Sequence, residues 1–286
     1  MVYREKNILK PPTGLIDSKW NTLKANLLIE MHTHEVNTSC YRDTTLENLT
    51  LLYKNKCAIC ERDRGYELQV DHYRPKKTRD NKRDIKYNQP GYYWLAYEWS
   101  NLIPLCSKCN GNKSNKFPLM VWVETNRISS HKNVGKIAGF NAYDINWLQS
   151  YEKPFMINPE IETKPGRHFV FQKDGKIKGR TPEGTETINI CKLNSNDLKR
   201  ERLKIRQKYV NGIKSAFADF TTSKDKNELK GELKAIFKMI ESNCHEDEPF
   251  SLFHVFIYNY FDYFVGTKLP NEIRVKAVEY FNQFKL

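Results

Sequence analysis

The residues of this sequence that are best suited to chemistry lie between positions 57 and 113. Two Cys-x-x-Cys pairs stand there, Cys57 with Cys60 and Cys106 with Cys109. Each pair can form a tight turn that points both sulfurs at one ion, and four thiolates are a usual ligand set of structural zinc. The pairs therefore predict a structural Zn²⁺ site, and the 45 residues between them must fold back so that the pairs meet.

Polar residues with catalytic side chains lie in and just after this insert. Hydrolysis of a phosphodiester needs a base for water and a cation for the developing charge. His72 has a side chain of near-neutral pKa, which suits a base, provided that a carbonyl holds its other ring nitrogen. Asp71 and Asn110 offer hard oxygen ligands, which favour Mg²⁺ or Mn²⁺. In an extended strand Asp71 and His72 point to opposite sides.

This pattern resembles the HNH endonucleases, in the branch whose ββα-metal fold is braced by four cysteines. His72, Asn101 and Asn110 stand where that family has its three motif residues. The resemblance implies that His72 activates water and that Asp71 and Asn110 hold the catalytic metal ion. It also implies that Asn101 is a scaffold residue for the loop that carries His72. Asn110 replaces the histidine of many relatives, and we therefore expect a Mg²⁺ enzyme.

Longer sequence motifs around these residues are similar to those of a narrower group, the HNH proteins of the PtuB type from Septu and related retron anti-phage systems. This similarity rests on His72-Tyr-Arg-Pro-Lys76, on the aromatic stretch from Gly91 to Asn101 and on Asn115-Lys-Phe-Pro118. The similarity covers roughly residues 50 to 205. It implies a nuclease effector of anti-phage defence that works with an ABC-type ATPase partner, a PtuA-like protein.

The charge of the chain favours a polyanionic substrate. The sequence has 47 Lys and Arg against 34 Asp and Glu, a net charge of +13, which makes nucleic acid the favoured partner. A basic run follows His72 directly, where a phosphate backbone has to lie; it comprises Arg74, Lys76, Lys77, Arg79, Lys82, Arg83 and Lys86. We expect Arg74, Lys76 and Lys113 to contact substrate, the alternative being solvated side chains.

Two alternatives to a DNA-cutting enzyme stay open. The first is a zinc-braced module that binds nucleic acid without cleaving it, although such a module needs no Asp71-His72 pair. The second is a nuclease whose target is RNA, such as a tRNA loop, because nothing in the sequence identifies the sugar. DNA is the favoured substrate.

The predicted fold class is α+β, a ββα-metal HNH core with a four-cysteine zinc inside a mostly helical protein. The expected regions are an N-terminal arm with helices (1–50), the nuclease core (51–118), a mixed segment with a β-hairpin at Asp174-Gly175 (119–193), and a helical region (194–286). Predicted helices cover about 17–31, 44–54, a start near Asn110, and 195–219, 224–242, 249–264 and 270–284.

Two aromatic clusters allow two interpretations each. Tyr92, Tyr93, Trp94, Tyr97 and Trp99 either stack on bases or, as we favour, form a cover that closes the insert. The crowded aromatics of 249–264 indicate either a partner surface or a buried central helix. No apolar run reaches the ~20 residues that span a bilayer, and the first residues lack a signal-peptide pattern. The expected location is therefore the cytoplasm, without membrane contact.

Overall fold

The computed structural model describes residues 1–17, 22–23, 36–77, 91–120 and 144–286. Its strands are β1 (Leu68–His72), β2 (Leu102–Cys106), β3 (Phe169–Phe171) and β4 (Ile177–Gly179). Its helices are α1 (Thr38–Leu52), α2 (Ser107–Lys113), α3 (Ile145–Glu152), α4 (Pro182–Cys191), α5 (Asn196–Ser223), α6 (Lys226–Ser242), α7 (Ser251–Asn259), α8 (Phe261–Phe264) and α9 (Asn271–Lys285). The predicted α+β class is confirmed.

Strands β1 and β2 form an antiparallel pair in which Leu68 lies opposite Cys106 and His72 opposite Leu102. Every residue of β2 is buried. Strand β1 instead alternates: Leu68, Val70 and His72 are buried, while the residues between them lie on the more exposed face. A half-buried strand alternates in this way because successive side chains point to opposite faces.

Helix α2 follows β2 without a loop and begins at Ser107, so the predicted start near Asn110 is wrong. Cys106 is its N-cap residue, and its sulfur accepts a hydrogen bond from the backbone N–H of Cys109. A thiolate is thus the cap here in place of the usual Ser, Thr, Asp or Asn. Asn110 consequently lies in the middle of α2.

Helix α1 begins at Thr38, six residues before the predicted start at Thr44. The side chain of Asn37 accepts a hydrogen bond from the Cys40 N–H and caps the helix. Tyr41, Thr45 and Leu49 form its buried face, which packs on β1. The helix therefore covers one side of the strand that carries Asp71 and His72.

The predicted hairpin and C-terminal helices are present with shifted ends. Strands β3 and β4 pair antiparallel around Gly175, whose φ of +78° suits glycine. The predicted helix 249–264 is two helices, α7 and α8, interrupted at Tyr260. Its phenylalanines are buried in the core; they are Phe250, Phe253, Phe256, Phe261 and Phe264. Burial therefore explains most of this aromatic cluster.

The C-terminal helices are fastened directly to the first cysteine turn. Phe250 N–H donates to the carbonyl of Glu61 at 3.2 Å, and Ser251 Oγ donates to the Glu61 carboxylate at 3.1 Å. Arg62 Nε donates to Glu201 on α5 at 2.8 Å. Residues 57–62 are thus held by the metal-site cysteines on one side and by the helices on the other.

Several predicted features lie outside the described residues. They are most of the helix at 17–31 and the basic residues Arg79, Lys82, Arg83 and Lys86. Among the helices that the structure describes, none combines the length and the apolar character of a membrane span. The division into four regions stays a prediction; buried apolar side chains form one cluster with members in all four regions.

Candidate functional site

The four cysteines of the two pairs meet as predicted. Their sulfurs lie within 4.8 Å of one another, and all four residues are buried. Sulfurs that bind one zinc ion at about 2.3 Å in a tetrahedron are about 3.8 Å apart, and Cys60 Sγ lies 3.8 Å from Cys106 Sγ. Hydrogen bonding from Cys109 is the largest cause that lowers the pKa of the Cys106 thiol. The donor set and its spacing fit a metal ion such as zinc.

The turns that carry the cysteines are built by backbone hydrogen bonds. Ala58 N–H donates to the carbonyl of Pro104 on β2 at 2.9 Å, which joins the first pair to the strand before the second. Glu61 N–H donates to the carbonyl of Cys57 at 3.0 Å and closes the first turn. The cluster therefore locks β2, the start of α2 and residues 57–61 into one unit.

His72 ends β1 with its ring buried against the aromatic insert. Its Nε2 lies 2.8 Å from the carbonyl oxygen of Ala96. A carbonyl only accepts, so Nε2 carries the proton and Nδ1 has the free lone pair. Burial, together with the positive charges of Lys76 and Lys113, lowers the pKa of His72 to about 3. The ring is therefore neutral at pH 7, in the tautomer that accepts a proton at Nδ1, and its pKa lies below the near-neutral value that the sequence predicts.

Asp71 lies on the opposite face of β1, as alternation requires. Its Oδ2 is 2.8 Å from Lys113 Nζ, an ion pair that includes a fully buried lysine. Oδ2 itself is buried and has no partner in hydrogen-bonding geometry. A carboxylate offers about four lone-pair sites on its two oxygens, so Asp71 can accept a second cation besides the Lys113 ammonium.

Asn110 projects from α2 toward the same face of the strand. Its Nδ2 donates to Gln69 Oε1 at 2.8 Å, and one helical turn later Lys113 pairs with Asp71. Gln69 and Asp71 are two residues apart on one strand face, so α2 lies along that face. The bond to Gln69 uses the amide nitrogen of Asn110 and leaves its oxygen to act as a ligand. Gln69 itself was not predicted, although its alternation with Asp71 indicates the shared face.

Asn101 is fully buried and bonds to the loop that follows His72. Its Oδ1 accepts from the Arg74 N–H at 2.8 Å, and its Nδ2 donates to the carbonyls of Arg74 and Leu95 at 3.0 and 3.2 Å. The carbonyl of Asn101 accepts from Tyr73 N–H at 2.8 Å. The side chain and the backbone of one asparagine therefore hold residues 73–74 in place.

Arg74 and Lys113 are placed differently from the expectation of substrate contact. Arg74 is fully buried, forms an ion pair with the buried Glu152, and lies 5.1 Å from the centroid of the Tyr92 ring. Lys113 is fully buried as well, and its Nζ donates to the carbonyl of His72 at 2.6 Å. A substrate phosphate does not reach either cation. We assign both residues internal roles instead.

Lys76 remains near the surface beside His72. Its Nζ donates to the Tyr41 hydroxyl at 2.7 Å and lies 4.5 Å from the centre of that ring. Desolvation and the neighbouring charge of Lys77 lower the pKa of Lys76 to about 8, opposed by the charge of Asp71. Lys76 and the exposed Lys77 are therefore the described residues of the basic run that can meet a phosphate.

Aromatic side chains enclose His72. The ring of Tyr41, a residue that sequence reasoning missed, lies 4.7 Å from the His72 ring in an edge-to-face arrangement. It comes from α1, which no motif links to His72. The predicted cover is buried throughout, and base stacking is therefore wrong for its members; they are Tyr92, Tyr93, Trp94, Tyr97 and Trp99.

The arrangement suits a hard divalent cation at the face of β1 shared by Asp71 and Asn110. The donors there are the Asp71 carboxylate, which is paired with Lys113, and the amide oxygen of Asn110. Oxygen donors in small number, supplemented by water and phosphate, are typical of Mg²⁺ sites. The residues present therefore fit Mg²⁺ or Mn²⁺ as the second metal.

Two antiparallel strands are followed by a helix, and four clustered cysteines join them into a ββα unit that is compatible with a zinc-braced HNH fold. The chain is homologous to the Septu protein PtuB of Bacillus mycoides, with 31% identity over 172 residues, which cover 58% of this chain and 52% of that protein.

Two further relatives carry Septu names. The Septu protein PtuA of Bacillus mycoides is 30% identical over 160 residues, which cover 56% of this chain and 20% of that protein. The Septu protein PtuB of Bacillus thuringiensis is 25% identical over 146 residues, which cover 50% of this chain and 38% of that protein. The chain thus spans about half or less of the length of these relatives. No protein-family model matches it.

Proposed function

We propose that this chain is an HNH endonuclease that hydrolyses phosphodiester bonds of nucleic acid, with DNA as the favoured substrate. The observation that carries the proposal is the pairing of two features on one strand. His72 is held by Ala96 in the tautomer of a base, and the carboxylate of Asp71 lies on the other face, paired with Lys113. A structural brace alone needs neither feature.

The roles of the residues follow from their positions. His72 Nδ1 accepts a proton from water, while Nε2–H stays bonded to the Ala96 carbonyl. Asp71 and Asn110 hold Mg²⁺ or Mn²⁺, which when bound stabilises the negative charge that develops on the phosphate. Lys76 and Lys77 contact the phosphate backbone of the substrate. Asn101 keeps the loop after His72 in place.

The biological setting of the proposal rests on the relatives. Homology to PtuB and PtuA supports a role in anti-phage defence, with this chain as the nuclease effector. A PtuA-like ATPase is the partner that the similarity favours.

The test is a cleavage assay with the purified, zinc-loaded chain. Linear DNA, circular DNA and a total tRNA fraction are incubated separately with Mg²⁺, and the ends of all products are sequenced. We expect cleavage of DNA that requires Mg²⁺ and is absent in His72→Ala. Cleavage of tRNA but not of DNA would identify RNA as the substrate in place of DNA. Binding of either nucleic acid without any cleavage, with and without the PtuA-like partner, would overturn the proposal in favour of a binding module.

A further inference from the structure

Lys113 lies fully buried beneath the two residues of the Asp71-His72 pair. Its Nζ is 2.6 Å from the carbonyl oxygen of His72 and 2.8 Å from Asp71 Oδ2. One ammonium group therefore contacts the backbone of the proposed base and the side chain of the proposed metal ligand. Burying a lysine costs free energy unless its charge is paired, and this pairing provides both the counter-charge and a hydrogen bond.

The position of Lys113 follows from the zinc-braced unit. Cys109 is held in the metal cluster, and Lys113 lies four residues later, about one turn along α2. Asn110 lies between them and shares a helical face with Lys113. The same short helix thus supplies a neutral oxygen ligand and a fixed positive charge to the face of β1.

The ion pair already places one positive charge on the Asp71 carboxylate, because Lys113 Nζ lies 2.8 Å from Oδ2. A divalent ion held by the same carboxylate would lie within a few ångströms of the ammonium group, and two cations repel each other strongly at such a distance. The anionic phosphate of a substrate offsets this repulsion when it enters.

We propose that Lys113 is a built-in counter-cation of the metal site, which positions Asp71 and His72 and keeps the affinity of the free site for a divalent ion low. Occupancy by the metal ion is then coupled to the arrival of a phosphate diester. This inference rests on the function proposed above, because it takes Asp71 to be a metal ligand. Lys113 acts through Asp71 and His72 and is a positioning residue.

The test measures binding of Mn²⁺ to the full, zinc-loaded chain without nucleic acid, from the electron paramagnetic resonance signal of free Mn²⁺. Lys113→Gln removes the charge and keeps a donor for the His72 carbonyl. We expect its Kd for Mn²⁺ to be at least about tenfold lower than that of the natural chain. Lys116→Gln is the matched control, because Lys116 follows the end of α2 and its Nζ bonds to the Asn112 carbonyl. Its Kd should not change.

An unchanged or higher Kd in Lys113→Gln would overturn the inference, since a merely structural lysine has no reason to suppress metal binding. Should this variant fail to fold, Asp71→Asn combined with Lys113→Gln removes both charges. If the single variant unfolds because the Asp71 carboxylate has lost its counter-charge, the double variant should regain the melting temperature of the natural chain. Failure to recover would contradict the counter-cation role.

Asp71→Asn alone separates this inference from the proposed function. If Asp71→Asn abolishes Mn²⁺ binding and Lys113→Gln does not alter it, the metal site stands and only the counter-cation role fails. If Asp71→Asn leaves Mn²⁺ binding unchanged, Asp71 is not a ligand, and both fail. Tighter binding in Lys113→Gln with no cleavage of any nucleic acid would support the inference and contradict the nuclease.

Discussion

The side-chain amide of Asn101 forms two hydrogen bonds with the backbone of Arg74: Oδ1 accepts from the N–H at 2.8 Å, and Nδ2 donates to the carbonyl at 3.0 Å. Nδ2 also donates to the carbonyl of Leu95. Leu95 precedes Ala96, whose own carbonyl holds His72 Nε2. Asn101 therefore ties the turn after His72 to the segment that sets the tautomer of its ring.

Replacement of Asn101 by Ala should destabilise the protein and remove cleavage. The change leaves three buried backbone groups without partners, and we expect the free energy of unfolding to fall by about 3 kcal/mol or more. Chemical denaturation measures this loss. Asn112→Ala is the control, because Asn112 makes a single long bond of 3.4 Å to the Cys191 carbonyl. An equal loss of stability in both variants would contradict the role of Asn101 in holding the loop after His72.

The four-cysteine cluster should be a condition of folding. Its ligands join segments that are far apart in sequence, so that zinc binding energy is folding energy. We expect Cys57→Ser or Cys109→Ser to lower zinc content and melting temperature together, and a strong chelator to do the same. Cys244→Ser, outside the cluster and only half-buried, should change neither. A soluble Cys57→Ser protein with unchanged zinc content would contradict the assignment.

The stability of the protein should fall in mild acid, in part through His254. Burial lowers the pKa of His254 to about 4, although its Nδ1 bonds to the Phe250 carbonyl at 3.1 Å. The unfolded chain, with a histidine pKa near 6.5, takes up the proton first as pH falls. The contribution of His254 to the free energy of unfolding is therefore complete above about pH 6.5. It falls by on the order of 3 kcal/mol as the pH drops to about 4.

Denaturation curves between pH 4 and pH 8 measure the contribution of His254. The variant His254→Asn keeps a donor for the Phe250 carbonyl but does not titrate, so we expect a smaller loss in acid than in the natural chain. His245→Asn, which alters an exposed histidine, should follow the natural chain. An equal loss of stability in acid for His254→Asn and the natural chain would show that His254 contributes nothing to the acid sensitivity.

The exposed tyrosines of the C-terminal helices are the candidate docking surface for a PtuA-like ATPase. The phenylalanines nearby are buried, whereas Tyr260 and Tyr263 are 53% and 43% exposed. Exposed aromatic side chains are frequent anchors of protein interfaces. We expect Tyr260→Ala with Tyr263→Ala to abolish co-purification of the two proteins while the melting temperature stays unchanged.

Two controls complete the docking experiment. Tyr66→Ala removes another exposed tyrosine, far in sequence from α8, and should leave co-purification intact. The natural chain expressed alone tests the need for a partner. A stable chain that cleaves freely and never binds the ATPase would contradict the partner assignment.

Local patterns in the sequence were sufficient for the cysteine cluster and for the faces of Asp71 and His72. Cys-x-x-Cys spacing identifies each pair locally, and strand alternation places Asp71 and His72 on opposite faces. The meeting of the two distant pairs follows from the four ligands that one zinc ion takes. Helix α4 was missed, although Thr181 followed by Pro182 is a typical helix start, with the Thr181 hydroxyl accepting from Gly184 N–H.

Contacts between distant segments account for what the sequence did not indicate. Arg74 is buried because Glu152, 78 residues away, supplies its counter-charge. The edge of the Tyr41 ring meets His72 only because α1 packs on β1. A basic residue next to a catalytic motif looks the same in sequence whether it faces phosphate or a buried carboxylate. Partners of this kind become visible only with the fold.

The most direct test of the account is the rate of cleavage against Mg²⁺ concentration for His72→Ala, Asp71→Ala and Asn110→Ala. His72→Ala should lose about 10² to 10⁴ in rate at every Mg²⁺ concentration, because its metal ligands remain. Asp71→Ala should lose both rate and metal affinity, and Asn110→Ala should recover in part at high Mg²⁺ or Mn²⁺. Rescue of His72→Ala by metal without rescue of Asn110→Ala would reverse the assignment of base and ligand.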